Sequence, residues 1–563
     1  MIKNYKHNYP LYDVTYSENF KQVLEDSIKK SEGRPAFRYR KGQDIIDVSY
    51  EEFYNDTKAV GTQLAALGLS DAHVAMVGPN SYKWVTVYLA CLNGNNVFVP
   101  VDKELPINEM AHIIGESDAE IVFCADLYVE RFKSVRDKLP KVKYFVNVEA
   151  KADDGEFLCY DSFIEKGREL LKNGDTSYTD ITPVPEKLKM IVYTSGTTGT
   201  AKGVMLSLSN ITNGVCYGLS VSTVYSTELA VLPFHHTYES VCGLLVSMKH
   251  ASTICINENL RTILGNFKTF RPDYIMLVPL FVENFYKRIW ATVEEQGKDK
   301  ILRNTIKASN ALLKIGIDMR RTLFKSIHEV FGGRLIKIVS GGAPIREELG
   351  RFFESIGITL INGYGITECS PLVSANRDFY YNFASVGNPL PCLELKIDDP
   401  NEDGEGEICV KGAVVMMGYY KNPEKTAEVL SEDGWFKTGD YGKIGEDGRL
   451  YITGRKKNLI VLKNGKNIYP EEIEEYLGGS DFVNEVIVSA IKNEDGEETG
   501  LQAEIYPHSD KIEGMSDEQI YDKIKAEVER INSGLPSHKR VIKVHVRKEP
   551  FEKTTSGKIR RKY

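Results

Sequence analysis

From about residue 35, short β-branched runs alternate with segments whose apolar residues recur at helical intervals, which predicts α/β layering around a mostly parallel sheet. Ser49-Tyr50-Glu51-Glu52 has capping-box spacing, and Phe53, Val60, Leu64 and Leu67 follow at roughly helical intervals, so a helix is expected from near Glu51. Val74-Ala75-Met76-Val77, stopping at Gly78-Pro79-Asn80, reads as a buried strand and its turn. Further strands are expected at Val97–Val101, Ile121–Cys124, Tyr144–Val148, Met190–Tyr193, Leu229–Leu232, Ile275–Val278 and Leu335–Val339. Between Leu280 and Phe331 the pattern is helical, polar and rich in Lys and Arg, with no strand signal.

Beyond Ser385 the pattern changes to short strands split by Gly-rich turns such as Asp403-Gly404-Glu405-Gly406 and Glu446-Asp447-Gly448, which suggests a small distorted barrel or antiparallel layer over about 385–456. Roughly the last hundred residues read as a compact α+β unit: strand Val486–Ile491, helix Ile520–Ile531, strand Ile542–Val546. The fold class is therefore α/β, a large N-terminal domain of layered sheets and helices with a barrel-like part, followed by a small α+β domain.

Length and charge narrow this picture. A chain of 563 residues can hold several domains, and 42% hydrophobic with 27% charged residues excludes a largely disordered chain, a collagen-like repeat or a small disulfide scaffold. Lys+Arg 71 against Asp+Glu 79 leaves −8, so the molecule is not built to condense on nucleic acid or anionic lipid, and any polyanion site must be local. Residues 539–563 hold ten Lys/Arg and two Glu, which by itself reads as a solvated basic tail. The nine cysteines are scattered without a Cys-x-x-Cys pair, as in a reducing compartment. No stretch approaches the ~18 apolar residues of a spanning helix. The expectation is a cytoplasmic chain with at most peripheral membrane contact and no nucleic-acid partner.

Candidate chemistry is concentrated in a few segments. Tyr193-Thr194-Ser195-Gly196-Thr197-Thr198-Gly199-Thr200-Ala201-Lys202-Gly203 follows a β-branched run; its glycines expose backbone N–H groups, its hydroxyls add donors and Lys202 adds a point charge, all suited to phosphate oxygens. Its spacing is not that of a Walker A loop. Next come Ser340-Gly341-Gly342-Ala343-Pro344 and Asn362-Gly363-Tyr364-Gly365-Ile366-Thr367-Glu368. In the latter, taken alone, the glycines read as a strand-end turn, the Tyr364 ring could stack on a flat base, and Glu368 is a hard oxygen ligand suited to Mg²⁺. Thr438-Gly439-Asp440 puts a carboxylate after a Gly turn, the acceptor a ribose diol requires, and Gly454-Arg455-Lys456-Lys457-Asn458 follows. Pro470 opens a helix with acids in its first turn, and Thr555-Ser556-Gly557-Lys558 sets a lysine on a Gly-bearing turn.

In this order and at these distances, the segments resemble the adenylate-forming (AMP-binding) superfamily of acyl-CoA synthetases, peptide-synthetase adenylation domains and luciferases, from about residue 35 to Lys562. Leu232-Pro233-Phe234-His235-His236-Thr237-Tyr238-Glu239 and the helical stretch between Pro279 and Gly332 are most similar to bacterial long-chain fatty acyl-CoA synthetases. The resemblance implies ATP, Mg²⁺ and coenzyme A as cofactor and co-substrates and a medium- to long-chain fatty acid as substrate. By it, Thr194, Ser195, Gly196, Thr197, Thr198, Gly199 and Lys202 hold the β- and γ-phosphates, while Thr367 and Glu368 contact phosphate and Mg²⁺. Tyr364 stacks on adenine, with Gly341, Gly342, Ala343, Pro344, Asn362, Gly363 and Gly365 around the base, and Asp440 and Arg455 hold the ribose. His236 lies beside the acyl carboxylate, and Lys558 reaches the carboxylate and the α-phosphate. Lys457 is the implied hinge, dividing the chain into 1–456 and a mobile 457–563.

Three positions depart from the family pattern: Ala201 for a common proline, Leu208 for a histidine and Asn458 for the aspartate after the hinge. Two other functions stand beside this one. An acyl-AMP ligase would load an acyl carrier protein, but no clear candidate for the insertion typical of such ligases is visible. A non-catalytic nucleotide- or acyl-adenylate-binding regulator is opposed by the intact Lys202, Glu368, Asp440, Arg455 and Lys558. Chain length is not legible, because the pocket walls come from scattered positions such as Tyr238, Phe281 and Gly341.

Overall fold

The computed structural model describes residues 7–194, 201–462, 467–493, 497–553 and 559–561. They form two compact units, Met1–Glu394 with Val410–Phe436, and Leu395–Cys409 with Lys437–Tyr563.

The first unit is built on two sheets. In the eight-stranded sheet, Leu188–Thr194, Val97–Val101, His73–Val77, Ala119–Cys124, Tyr144–Asn147 and Phe157–Cys159 are adjacent and parallel. Parallel neighbours need crossover helices, and the one between His73–Val77 and Val97–Val101, Tyr82–Asn93, is buried from Trp84 onward. Lys202–Ser207 and Gly418–Tyr419 extend this sheet antiparallel. In the nine-stranded sheet, Thr359–Gly365, Lys337–Ser340, Tyr274–Leu277, Thr227–Ala230, Thr253–Ile256 and Pro35–Lys41 are parallel; Asp44–Ser49 is an antiparallel edge, and at the other end Leu372–Ala375 and then the edge strand Asn388–Pro389 are added antiparallel. Ser49 caps the helix Tyr50–Ala66 by accepting from the Glu52 N–H at 3.0 Å, the spacing anticipated from sequence.

Three differences from the pattern reading have local causes. The strand expected to reach Leu232 ends at Ala230, because the Asn80 amide takes the Leu232 carbonyl (2.7 Å) and accepts from the Phe234 N–H (3.0 Å). The strand expected at Leu335–Val339 runs Lys337–Ser340, and the buried Lys337 that interrupts its apolar pattern is paired with the equally buried Asp378 at 2.6 Å. Asn362–Gly365 is not a turn but the end of the strand Thr359–Gly365. Its glycines are required by the antiparallel neighbour, since a Cβ at Gly365 would lie 2.3 Å from the Pro371 carbonyl oxygen.

Between 279 and 330 the chain is helical as expected: Pro279–Glu295, Asp299–Lys314, Arg320–Leu323 and Lys325–Val330. In the second unit, Val483–Lys492, Glu498–Pro507 and Val541–Val546 form a three-stranded sheet. It shares a core, including Ile473, Val488, Ile505 and Ile524, with the helices Pro470–Gly478 and Asp517–Asn532. The Gly-rich region folds as a four-stranded layer of Leu393–Asp398, Gly406–Gly412, Phe436–Ile444 and Leu450–Arg455. No helix among the described residues is long and apolar enough to cross a membrane.

The nine-stranded sheet buries two carboxyls, Glu228 and Glu239, both at 0% exposure. Glu228 accepts from the Ser247 hydroxyl, and a Cβ on Gly243 would meet Glu239 Cδ at 3.1 Å and Glu228 Oε1 at 3.3 Å, so only glycine leaves them room. Burial pushes Glu228 up to about 7, and burial followed by Glu228 itself raises Glu239 well above its usual value. A raised carboxyl pKa supports folding fully below the unfolded value and loses that support as pH rises through the folded one. The unfolding free energy should therefore fall as pH rises from about 4.5 through about 7, and Glu228→Gln should flatten that fall by ~3 kcal/mol, the equivalent of the shift. Parallel curves of unfolding free energy against pH for the two proteins would refute this.

Candidate active site

The phosphate-loop segment is the connection of a hairpin. Leu188–Thr194 pairs antiparallel with Lys202–Ser207 and sets Thr194 opposite Lys202, so the loop leaves and returns at one point of the sheet. Ser195, Gly196, Thr197, Thr198 and Gly199 lie outside the described residues. Lys202 projects its ammonium over the Tyr419 ring, 5.0 Å from the centroid, and the Tyr419 hydroxyl donates to Glu368 Oε1 at 3.0 Å. Three segments distant in sequence thus meet around one aromatic ring. Gly418–Tyr419 reaches this place by pairing with Lys202–Ser207, and the Met416 N–H donates to the Glu368 carbonyl at 2.8 Å. Burial, then the Glu368 carboxylate, raise the Tyr419 pKa so far that its hydroxyl stays a donor.

Thr367 and Glu368 form a single 3₁₀ turn, Thr367–Cys369, directly after the strand carrying Asn362, Gly363, Tyr364 and Gly365. Tyr364 is 9% exposed. The Asn362 amide donates to the Ser385 carbonyl (2.8 Å) and accepts from Asn376 (2.7 Å), so this side chain is engaged in bracing the strand end. Gly341, Gly342, Ala343 and Pro344 follow the neighbouring strand Lys337–Ser340. Gly342 has φ +83°, and a Cβ on Gly341 would sit 2.9 Å from Tyr238 Cζ. The Tyr238 hydroxyl donates to the Val339 carbonyl at 3.0 Å, which ties the His236 segment to this turn.

His236 is half-buried at the entry to the π-helix Tyr238–Leu245, where its carbonyl accepts from the N–H groups of Glu239 (3.1 Å) and Ser240 (2.9 Å). Its ring lies 4.2 Å from that of His235. Burial, then His236 and Lys103, hold the His235 pKa well below the usual range. The Asp102 carboxylate stands 3.6 Å from His235 Nε2, but burial outweighs that pull and leaves the ring neutral.

In the second unit, Asp440 and Arg455 face each other on paired strands, Arg455 Nε 3.1 Å from Asp440 Oδ1. Thr438-Gly439-Asp440 is not the Gly turn expected from sequence but lies inside the strand Phe436–Ile444, where Gly439 takes φ +73°; Thr438 Oγ accepts from the Asp440 N–H (3.1 Å) while donating to the Ile408 carbonyl (2.8 Å). Lys457 lies in the 3₁₀ turn Lys456–Asn458. Lys456 is paired with Glu407 at 2.6 Å, and Asn458 donates to the Glu471 carboxylate, the contact that the aspartate of the family pattern could not make while ionised. Burial, then Arg455 and Arg561, lower the Lys457 pKa. Lys558 lies outside the described residues. On either side of its segment, Lys553 bridges to Ile559, Lys553 pairs with Glu485 at 2.6 Å, and Arg561 grips Glu474.

A profile of the AMP-binding enzyme family matches residues 24–420. The chain belongs to that family. A second profile, the AMP-binding enzyme C-terminal domain, matches residues 457–563. Human long-chain-fatty-acid–CoA ligase 1 is 28% identical over 83% of this chain and 71% of its own length. Long-chain-fatty-acid–CoA ligase FadD15 of Mycobacterium bovis is 26% identical over 78% of this chain and 75% of its own. Among solved structures, ATP-bound MatB from Rhodopseudomonas palustris superposes with a TM-score of 0.72 at 24% identity, over 95% of this chain and 96% of that one.

Pattern reading missed Tyr419, whose only signal was an aromatic pair after a glycine in Gly418-Tyr419-Tyr420, and Asn80, hidden in an ordinary turn. A single half-buried carboxylate oriented by a tyrosine suits Mg²⁺, an ion bound through one or two carboxylates together with substrate phosphates. Glu368 would hold it, and there it would neutralise phosphate charge.

Proposed function

We propose that this AMP-binding enzyme is an acid–thiol ligase that activates a medium- to long-chain fatty acid to acyl-AMP and transfers the acyl group to coenzyme A. The observation that carries the reading is the meeting of Lys202, Tyr419 and Glu368 at the mouth of the phosphate-loop hairpin. The fatty-acid assignment rests on relatives named as long-chain ligases that align with about four-fifths of the chain.

Joining a carboxylate to a triphosphate brings two anions together, so the barrier is largely electrostatic. A carboxylate oxygen attacks the α-phosphorus and pyrophosphate leaves with the P–O electrons. Lys202 and the hydroxyls and N–H groups of Thr194–Gly199 hold the β- and γ-phosphates in line. Lys558 bridges carboxylate and α-phosphate, His236 flanks the carboxylate, Tyr364 takes adenine, and Asp440 with Arg455 take the ribose diol. In the second half-reaction a thiol attacks the acyl carbonyl, AMP departs with the bridging oxygen, and the thiol proton passes to solvent. None of the nine cysteines forms a disulfide, which accords with action in the reducing cytoplasm.

Because Lys558 serves only the first step, the small domain turns about Lys457 between steps, a rotation absorbed by a few backbone torsions. Lys457→Pro fixes φ near about −65° and removes an N–H. Acyl-AMP should still form, seen as acid-dependent pyrophosphate release, while acyl-CoA production falls steeply; normal rates of both steps would place the hinge elsewhere. The whole reading is tested by pyrophosphate release across a panel of free acids, with coenzyme A or a phosphopantetheinyl carrier protein as acceptor. Release stimulated by long-chain acids and thioester formed on coenzyme A are expected. Thioester formed only on the carrier, or no acid-dependent release, would overturn it.

A further inference from the structure

Residues 300–325 carry seven cations (Lys or Arg) and one acid, Asp318, a local balance of +6 in a chain whose net charge is −8. The acid is already spent. Buried Arg320 grips both Asp318 oxygens, at 2.9 and 2.8 Å, and donates to the Glu354 carbonyl at 2.8 Å. The other six cations are exposed; of these Arg321 also donates to the Gly333 and Leu335 carbonyls and Lys325 stands 3.8 Å from Glu329, while Lys300, Lys307 and Lys314 carry no such partner within the segment.

The same short segment exposes apolar bulk. Of the twenty large hydrophobic side chains exposed among the described residues, five fall here: Ile301 (62%), Ile315 (71%), Ile317 (47%), Met319 (38%) and Leu323 (42%). Four of them cluster where the helix Asp299–Lys314 ends. The Gly316 N–H donates to the Leu313 carbonyl and the Ile317 N–H to that of Leu312, and Gly316 at φ +86° throws Ile315–Met319 out of the helix toward the short helix Arg320–Leu323. The opposite face is anchored, since Leu302 and Phe324 are buried in the core cluster against which Tyr238 and Phe281 also pack. An apolar knuckle ringed by exposed cations and fixed to a rigid core matches a lipid interface, where side chains enter the headgroup boundary and cations meet phosphates. Bare nucleic acid would satisfy the cations but leave Ile315 and Ile317 in water.

We propose that residues 300–325 form a docking surface for an anionic lipid bilayer, with Ile315, Ile317, Met319 and Leu323 inserted at the interface and the surrounding Lys and Arg paired with lipid phosphates. The fatty-acid assignment gives this surface a purpose, since such acids partition into bilayers, but the docking stands or falls without it.

The full chain is to be sedimented with vesicles of phosphatidylcholine, alone or mixed with phosphatidylglycerol. Binding is expected only to the mixed vesicles, weakening as salt is raised. The double variant Ile315→Asp/Ile317→Asp should bind roughly tenfold or more weakly, each carboxylate resisting insertion. Lys314→Gln/Lys325→Gln, at exposed positions that leave the apolar residues intact, should weaken binding by a smaller factor; both should keep wild-type adenylation of a dissolved acid. No binding to mixed vesicles, equal binding to both kinds, or variants that bind like wild type would overturn the proposal. So would a dimer in gel filtration that Ile315→Asp/Ile317→Asp converts to monomer, since the patch would then cover a second copy.

Discussion

Glu368→Gln is expected to lower acyl-adenylate formation by ~10²-fold or more at ordinary Mg²⁺, the scale seen when one preorganised electrostatic stabiliser is lost. Glutamine keeps the volume and still accepts a hydrogen bond from Tyr419, so the turn Thr367–Cys369 has no reason to move. What disappears is the negative charge that would hold the ion on the triphosphate. Raising Mg²⁺ should recover part of the loss, and Tyr419→Phe, which frees the carboxylate but keeps its charge, should cost only the several-fold worth of one hydrogen bond. Wild-type turnover in Glu368→Gln, read as pyrophosphate release, would remove Glu368 from the metal role.

Lys558→Ala should have the other large effect, confined to one half-reaction. Without the ammonium, the carboxylate approaches the α-phosphate with less of its repulsion screened, and acyl-AMP formation should fall by roughly 10²–10³-fold. Thioester formation from supplied acyl-AMP should remain nearly intact, because the thiol attacks a neutral carbonyl. Equal loss of both steps would contradict the assignment of this lysine to adenylation alone.

Much of this fold is legible in the sequence alone, because parallel strands buried on both faces print continuous apolar runs: His73–Val77, Val97–Val101 and Ala119–Cys124 lie where those runs stand. Illegible positions were those where tertiary partners override local pattern. Lys337 breaks a strand signal unless Asp378, forty-one residues away, is known to neutralise it. The glycines of Asn362–Gly365 read as a turn, whereas they admit a neighbouring strand's carbonyls. Among the candidate residues, Lys202, Glu368 and Asp440 drew notice by residue type, and Arg455 only through the family resemblance. Tyr419 did not, since a tyrosine joining a lysine to a glutamate is indistinguishable in sequence from any core aromatic.

The central claim is that a fatty-acid carboxylate attacks the α-phosphorus of ATP to give an acyl-AMP that a thiol then opens. It is tested most directly by supplying a long-chain acid labelled with ¹⁸O in its carboxylate, together with ATP and coenzyme A, and weighing the products. One labelled oxygen should appear in the phosphate of AMP and none in pyrophosphate, because the oxygen that attacks phosphorus leaves with AMP when the thioester forms. Unlabelled AMP, or label in orthophosphate released alongside ADP, would contradict it.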